Sequence, residues 1–165
     1  METGKKTEND TVYWCWTTGL PASWQNAYVF AAARWNSSPS DWQLNYGSNC
    51  GDFTASRINF NSPYWPTIPG ITFADIDGNT VVGATSYLNT NFTWSFYQEE
   101  GSSMGDEEDP CLPYCDVGTI MVHEIGHWAR LNHGDCSTSV MCVNYKVRRF
   151  LSSHDSDTLV DIYGE

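Results

Sequence analysis

The chain has 165 residues, 20 of them acidic and 8 basic, for a formal net charge of −12. That length suits one domain with a real core, and the acidic balance argues against nucleic acid or anionic membrane surfaces as partners, since both attract basic patches. The longest apolar run, Ala27 to Ala33, is far short of the ~20 residues that a membrane span needs.

Residues 1–10 are charged and contain no aromatic or branched apolar side chain, so they read as a disordered tail ahead of a single domain over 11–165. They also lack the apolar stretch of a secretory signal, and the expectation is a mature or trimmed form. Val12 to Trp16 is aromatic and β-branched and predicts a first strand, ending at Gly19-Leu20-Pro21. Ser23 is placed to cap a helix from about Trp24 to Trp35, with Pro39 beyond it. Trp42 to Tyr46 and Ser56 to Phe60 alternate as strands do, and a Pro-rich loop, 62–70, follows. Ile71-Thr72-Phe73 leads into a turn-rich stretch at Asp75 to Asn79, after which Val81 to Tyr87 and Phe92 to Tyr97 predict two more strands. An acidic loop over 98–116 ends at Asp116, which stands where the N-cap of the next helix belongs. A last helix runs from Ser152 or Ser153 to Tyr163, with Gly164 as its C-cap. The order predicts an α+β fold with a mixed sheet.

Six cysteines suggest three disulfides and an oxidising, secreted setting. Six cysteines allow fifteen pairings. Proximity in sequence favours Cys136 with Cys142, Cys111 with Cys115, and Cys15 with Cys50. The rival reading takes Cys111, Cys115, Cys136 and Cys142 as a structural zinc site, although they lack the usual short Cys-x-x-Cys spacing.

The chemistry concentrates in His123-Glu124-Ile125-Gly126-His127 and in His133, six residues on, which together use three of the four histidines. On a helix, His123 and His127 project from one face and can reach one ion. Glu124 stands one residue round, where its carboxylate can address a water instead of the metal. His133 lies too far along to share that face, so the chain must turn back, with Gly126 and Asn132-His133-Gly134 as candidate places to loosen. Asp75 to Asn79 and Asp106 to Asp109 offer oxygen ligands that would suit calcium, though neither has EF-hand spacing.

These motifs resemble the metzincin metalloproteases, and among them the matrixin (matrix-metalloprotease-like) catalytic domain. The metzincin pattern is H-E-x-x-H-x-x-G-x-x-H followed by a methionine turn, here Ser139-Val140-Met141. Tyr145 stands where matrixins carry the tyrosine of the S1′ wall, and Leu151 to Asp155 through Asp161 to Gly164 is similar to the matrixin terminal helix. Val81 to Ser86 resembles the edge strand above the matrixin cleft. Arg130 replaces the family glycine, at a position where a side chain at positive φ costs roughly 1 kcal/mol.

The resemblance implies a twisted mixed sheet of about five strands with three helices, and an active-site helix and methionine turn below the cleft. It implies one catalytic zinc on His123, His127 and His133, Glu124 as general base and acid, and Met141 as a structural floor. Gly83 and Ala84 would pair with an extended peptide, and Val143, Asn144 and Tyr145 would line the S1′ pocket. Lys146, Arg148 and Arg149 read as solvated surface. The expectation is a secreted, monomeric zinc endopeptidase with protein or peptide substrates. The alternative is a zinc-bearing extracellular binding or adhesion module with little activity.

Overall fold

The computed structural model describes residues 11–47, 51–58, 68–78, 80–96, 99–105, 111–134, 136–142 and 146–165. The residues form strand β1 (Thr11–Trp16), helix α1 (Ala22–Asn36), β2 (Gln43–Tyr46), β3 (Phe53–Ile58), β4 (Gly70–Asp77), β5 (Thr80–Asn89), the two-residue β6 (Trp94–Ser95) and β7 (Cys115–Asp116), α2 (Val117–Trp128) and α3 (Ser153–Tyr163). Five strands make one sheet in the order β2-β1-β3-β5-β4, and β6 pairs with β7. The first three contacts of the large sheet are parallel, and only β4 runs against its neighbour. This is the expected α+β architecture, a five-stranded mixed sheet with three helices.

One face of the sheet carries the core. Val12 and Trp14 on β1, Leu44 on β2, Ala55 on β3 and Leu88 on β5 are buried, together with Met121, Val122, Ile125 and Trp128 of α2. Nearly all of α2 is out of solvent, as expected of a helix that is apolar around most of its circumference. Trp35 of α1 reaches across and donates from Nε1 to the Val122 carbonyl of α2 at 2.8 Å. That bond satisfies the indole inside the core and sets α1 against α2.

Several boundaries differ from the sequence reading. Helix α1 begins after Pro21, whose fixed φ suits a helix entrance, and no side chain caps it. Ser23 therefore lies inside the first turn. Asp75 and Asp77 belong to β4, whose hairpin to β5 turns at Gly78, φ 57°. The strand expected over Phe92 to Tyr97 shrinks to Trp94–Ser95.

The larger correction concerns the sheet edge. The strand holding Gly83 and Ala84 is β5, which lies between β3 and β4. Ala84 pairs with Phe53 on one side and Ala74 on the other and is 1% exposed. The edge strand on this side is β4.

Candidate metal centre

Helix α2 is held from its first turn. Asp116 caps it, its Oδ1 accepting from the Thr119 N–H and the Thr119 hydroxyl at 2.8 Å each, which satisfies an otherwise orphaned helical donor. His123 and His127 then emerge one turn apart on the same helix.

The helix ends in a Schellman turn. The Leu131 N–H reaches back to the Gly126 carbonyl at 3.1 Å, and the Arg130 N–H to that of His127 at 3.0 Å. The motif needs a left-handed residue between helix and exit, and Arg130 supplies it at φ 59°. The turn therefore forms with an arginine where glycine is usual. Gly126 stays within the helix and is not a point of loosening.

The turn returns His133 to its partners. The ring centroids lie 4.9 Å apart for His123 and His127, 5.1 Å for His123 and His133, and 5.2 Å for His127 and His133. One ligand nitrogen from each histidine lies within 4.8 Å of the others, the only such group of His, Cys, Asp or Glu among the described residues. The outward nitrogens of two rings are already engaged. His123 Nδ1 donates to the Val140 carbonyl at 2.9 Å and His127 Nδ1 to the Leu131 carbonyl at 2.8 Å. A carbonyl can only accept, so each Nδ1 carries its hydrogen and each Nε2 keeps its lone pair for a metal. Burial first, then the charges of His127 and His133, pushes His123 down to about 3, against the pull of the Val140 carbonyl and Asp155. Burial also lowers His127. Neutral imidazole is the form that binds metal, so the donor set fits a divalent ion such as zinc.

Glu124 is 5% exposed, and burial pushes its carboxyl up to about 7 while a bond from Thr72 acts the other way. A chain of bonds holds it. Trp128 Nε1 donates to Ser86 Oγ at 2.7 Å, Ser86 Oγ lies 2.7 Å from Thr72 Oγ1, and Thr72 Oγ1 donates to Glu124 Oε2 at 2.6 Å. Each hydroxyl can donate once and accept once along this line. Strands β4 and β5 thus orient the carboxylate from the side opposite the histidines' helix, a contact between distant segments that nothing in the sequence signals.

Below α2 sits the methionine turn. Met141 is 2% exposed, and its thioether packs so closely on Gly126 that an added Cβ would overlap Sδ. Gly126 therefore keeps the helix surface between His123 and His127 open to Met141. The turn itself is held by Asp155 of α3. Its Oδ1 accepts from Ser139 Oγ at 2.5 Å, and its Oδ2 from the Val140 N–H at 3.1 Å. Ser152 completes a capping box with the same carboxylate.

The disulfides Cys111–Cys115 and Cys136–Cys142 form as expected, which removes the four-cysteine zinc site. Cys15 is disulfide-bonded, and Cys50 lies outside the described residues. Val143, Asn144, Tyr145, Asn79 and the cluster Asp106 to Asp109 also lie outside them. Lys146 is exposed, but the neighbouring arginines are not free surface. Arg149 Nε lies 3.1 Å from the buried Asp116 Oδ1, and Arg148 is bound to backbone carbonyls of the methionine-turn loop.

Against this geometry, the matrixin family model of peptidases matches residues 53–164. The chain belongs to the matrixin family. The match spans every part of the site, from β3 beside β5 to the capped terminal helix. No individual curated protein matches the sequence at a significant level. The matrixin assignment accounts for the three-histidine cluster and the five-stranded sheet together, and it makes the chain a member of a zinc metalloprotease family. Among the described residues no helix is long and apolar enough to cross a membrane.

Proposed function

We propose that this matrixin is a secreted zinc endopeptidase in which His123, His127 and His133 hold one zinc ion and Glu124 moves the proton. The observation that carries the reading is the pairing of three convergent imidazoles with a buried carboxylate on the adjacent helical residue, held by Thr72. A merely structural site would close with a fourth protein ligand, and three ligands leave a position open.

Zinc, when bound there, supplies Lewis acidity, making water acidic near neutrality and stabilising negative charge on a peptide carbonyl oxygen. Glu124 takes the proton from water as it attacks the carbonyl carbon, and returns it to the amine as the C–N bond breaks. Thr72 and Ser86 fix the carboxylate so that little reorganisation is needed during transfer. Met141 serves as an apolar floor beneath the ligands.

Substrate backbone would pair along the outer edge of β4 in place of Gly83 and Ala84. No described strand occupies that edge, and added strand pairing binds an extended peptide without demanding particular side chains. Val143, Asn144 and Tyr145 are proposed as the S1′ wall on the strength of the matrixin resemblance. The disulfides favour an oxidising compartment.

The test is hydrolysis of a quenched peptide library, with product termini read by mass spectrometry. Internal cleavage that stops with a chelator and returns with zinc supports the proposal. Zinc-loaded protein that binds peptides without cutting any would favour the binding module.

A further inference from the structure

We propose that Arg148 is a positioning residue for the metal centre, acting through the Ser139–Val140 peptide that supports His123. The inference rests on reading the three histidines as a zinc site and concerns a residue outside the family motif.

The Arg148 guanidinium binds three carbonyls of one short loop. Nη1 donates to the Ser139 carbonyl at 3.0 Å, and Nη2 donates to those of Cys136 at 2.8 Å and Ser137 at 3.1 Å. The loop is closed by Cys136–Cys142 and contains the methionine turn. Only a planar fork with several fixed donors can gather carbonyls in this way, and the ammonium of a lysine cannot reproduce it.

Two charges hold the peptide between Ser139 and Val140 from opposite ends. Its carbonyl accepts from the cationic Arg148, and its N–H donates to the anionic Asp155. Bonds to charged partners are roughly twice as strong as neutral ones, so the plane of this peptide is set. The next carbonyl in the chain, that of Val140, accepts from His123 Nδ1 at 2.9 Å. Fixing one peptide plane therefore aims the acceptor that selects the His123 tautomer and ring orientation. Arg148 is tied in turn to the ligand helix: its backbone N–H donates to Thr119 Oγ1 at 3.1 Å, and Thr119 donates to the N-cap Asp116. Helix start, loop and first ligand form one hydrogen-bonded circuit with Arg148 at its centre.

Loss of such an outer support commonly weakens metal binding 10- to 100-fold. The experiment measures zinc affinity of the full chain by competition with a chromophoric chelator, for the unmodified protein, Arg148→Met and Arg148→Lys. Each is assayed at a temperature where circular dichroism shows it fully folded. The dissociation constant is expected to rise about tenfold or more for Arg148→Met, with Arg148→Lys between the two. The visible spectrum of the cobalt-loaded protein should also change, because ligand orientation changes. Affinities within twofold for all three proteins, whatever the variants do to the unfolding temperature, would overturn the proposal and leave Arg148 a structural residue. If Arg148→Met does not fold, Arg148→Lys carries the comparison alone, with a loss greater than twofold supporting and twofold or less refuting. An unmodified protein that binds no zinc would instead overturn the metal-site reading and this inference with it.

Discussion

Replacing Gly126 by alanine opposes two effects whose magnitudes decide the sign. On helix propensity alone the change gains roughly 1 kcal/mol, since glycine is the costlier residue inside a helix. Against that, the new Cβ would overlap Met141 Sδ, stand 2.8 Å from Trp35 Cζ2 and 3.1 Å from Met141 Cε. Neither neighbour can withdraw easily. Trp35 is fully buried and tied to the Val122 carbonyl, and Met141, 2% exposed, belongs to the turn held by Asp155. Overpacking of this kind costs about 1–3 kcal/mol, and two simultaneous overlaps place it at the upper end. The net expectation is a loss of about 2 kcal/mol, or roughly a 30-fold fall in the folded-to-unfolded ratio. Urea unfolding of the zinc-free variant and unmodified protein, compared at equal m-value, measures it. A Gly126→Ala protein as stable as the original, or about 1 kcal/mol more stable, would show that Met141 does not pack against the helix between the ligands.

Asp155→Asn removes a buried acceptor that serves Ser139 Oγ, the Val140 N–H, and the N–H and hydroxyl of Ser152. A loss of about 3 kcal/mol is expected in thermal or urea unfolding, and a loss below about 1 would mean that this carboxylate does not hold the turn. At position 130 the backbone lies at φ 59°, which disfavours β-branched residues most. Arg130→Ile should therefore be less stable than Arg130→Gly by about 1–2 kcal/mol, a difference between two variants that both lack the arginine's own contacts. Equal stability would contradict the left-handed turn. The pH dependence of the zinc-free protein combines opposite signs. His123 is depressed from 6.5 to about 3, so the unfolded chain takes that proton first and stability is lost as pH falls from 6.5 toward 3. Glu124 is raised from 4.5 to about 7, so the folded state takes its proton first and stability is lost as pH rises through that window. Glu124→Gln should then stabilise the zinc-free protein at pH 8 but not at pH 4, and a pH-independent effect would contradict the buried, elevated carboxyl.

Much of the site was legible because its parts are local. Two histidines one helical turn apart, with a glutamate between them and a capping aspartate before them, need only helix geometry to converge. The third histidine requires a turn: the glycines alone point to Gly126 and Gly134, and only the family pattern marks Arg130 as the left-handed position it takes. The strand order was not legible. Gly83 and Ala84 are placed at the edge by the resemblance of Val81 to Ser86 to the matrixin edge strand, while the true edge, β4, is cut short by reading Asp75 to Asn79 as turn-rich. Which of two adjacent hairpin strands faces outward depends on pairing with β3, far away in sequence. The supports of the site were also hidden. Thr72 and Ser86 are ordinary strand residues until the sheet brings them to Glu124. Arg148 looked like solvated charge because nothing in a run of basic residues reveals that one of them is aimed at three carbonyls.

The central claim is that Glu124 is the proton-transfer group of a zinc peptidase, and its most direct test is the turnover of Glu124→Gln at zinc occupancy equal to that of the unmodified protein. The account predicts one zinc per chain in both proteins and a fall in kcat of about 10²–10⁴-fold in the variant. A variant with full zinc and undiminished hydrolysis would contradict it.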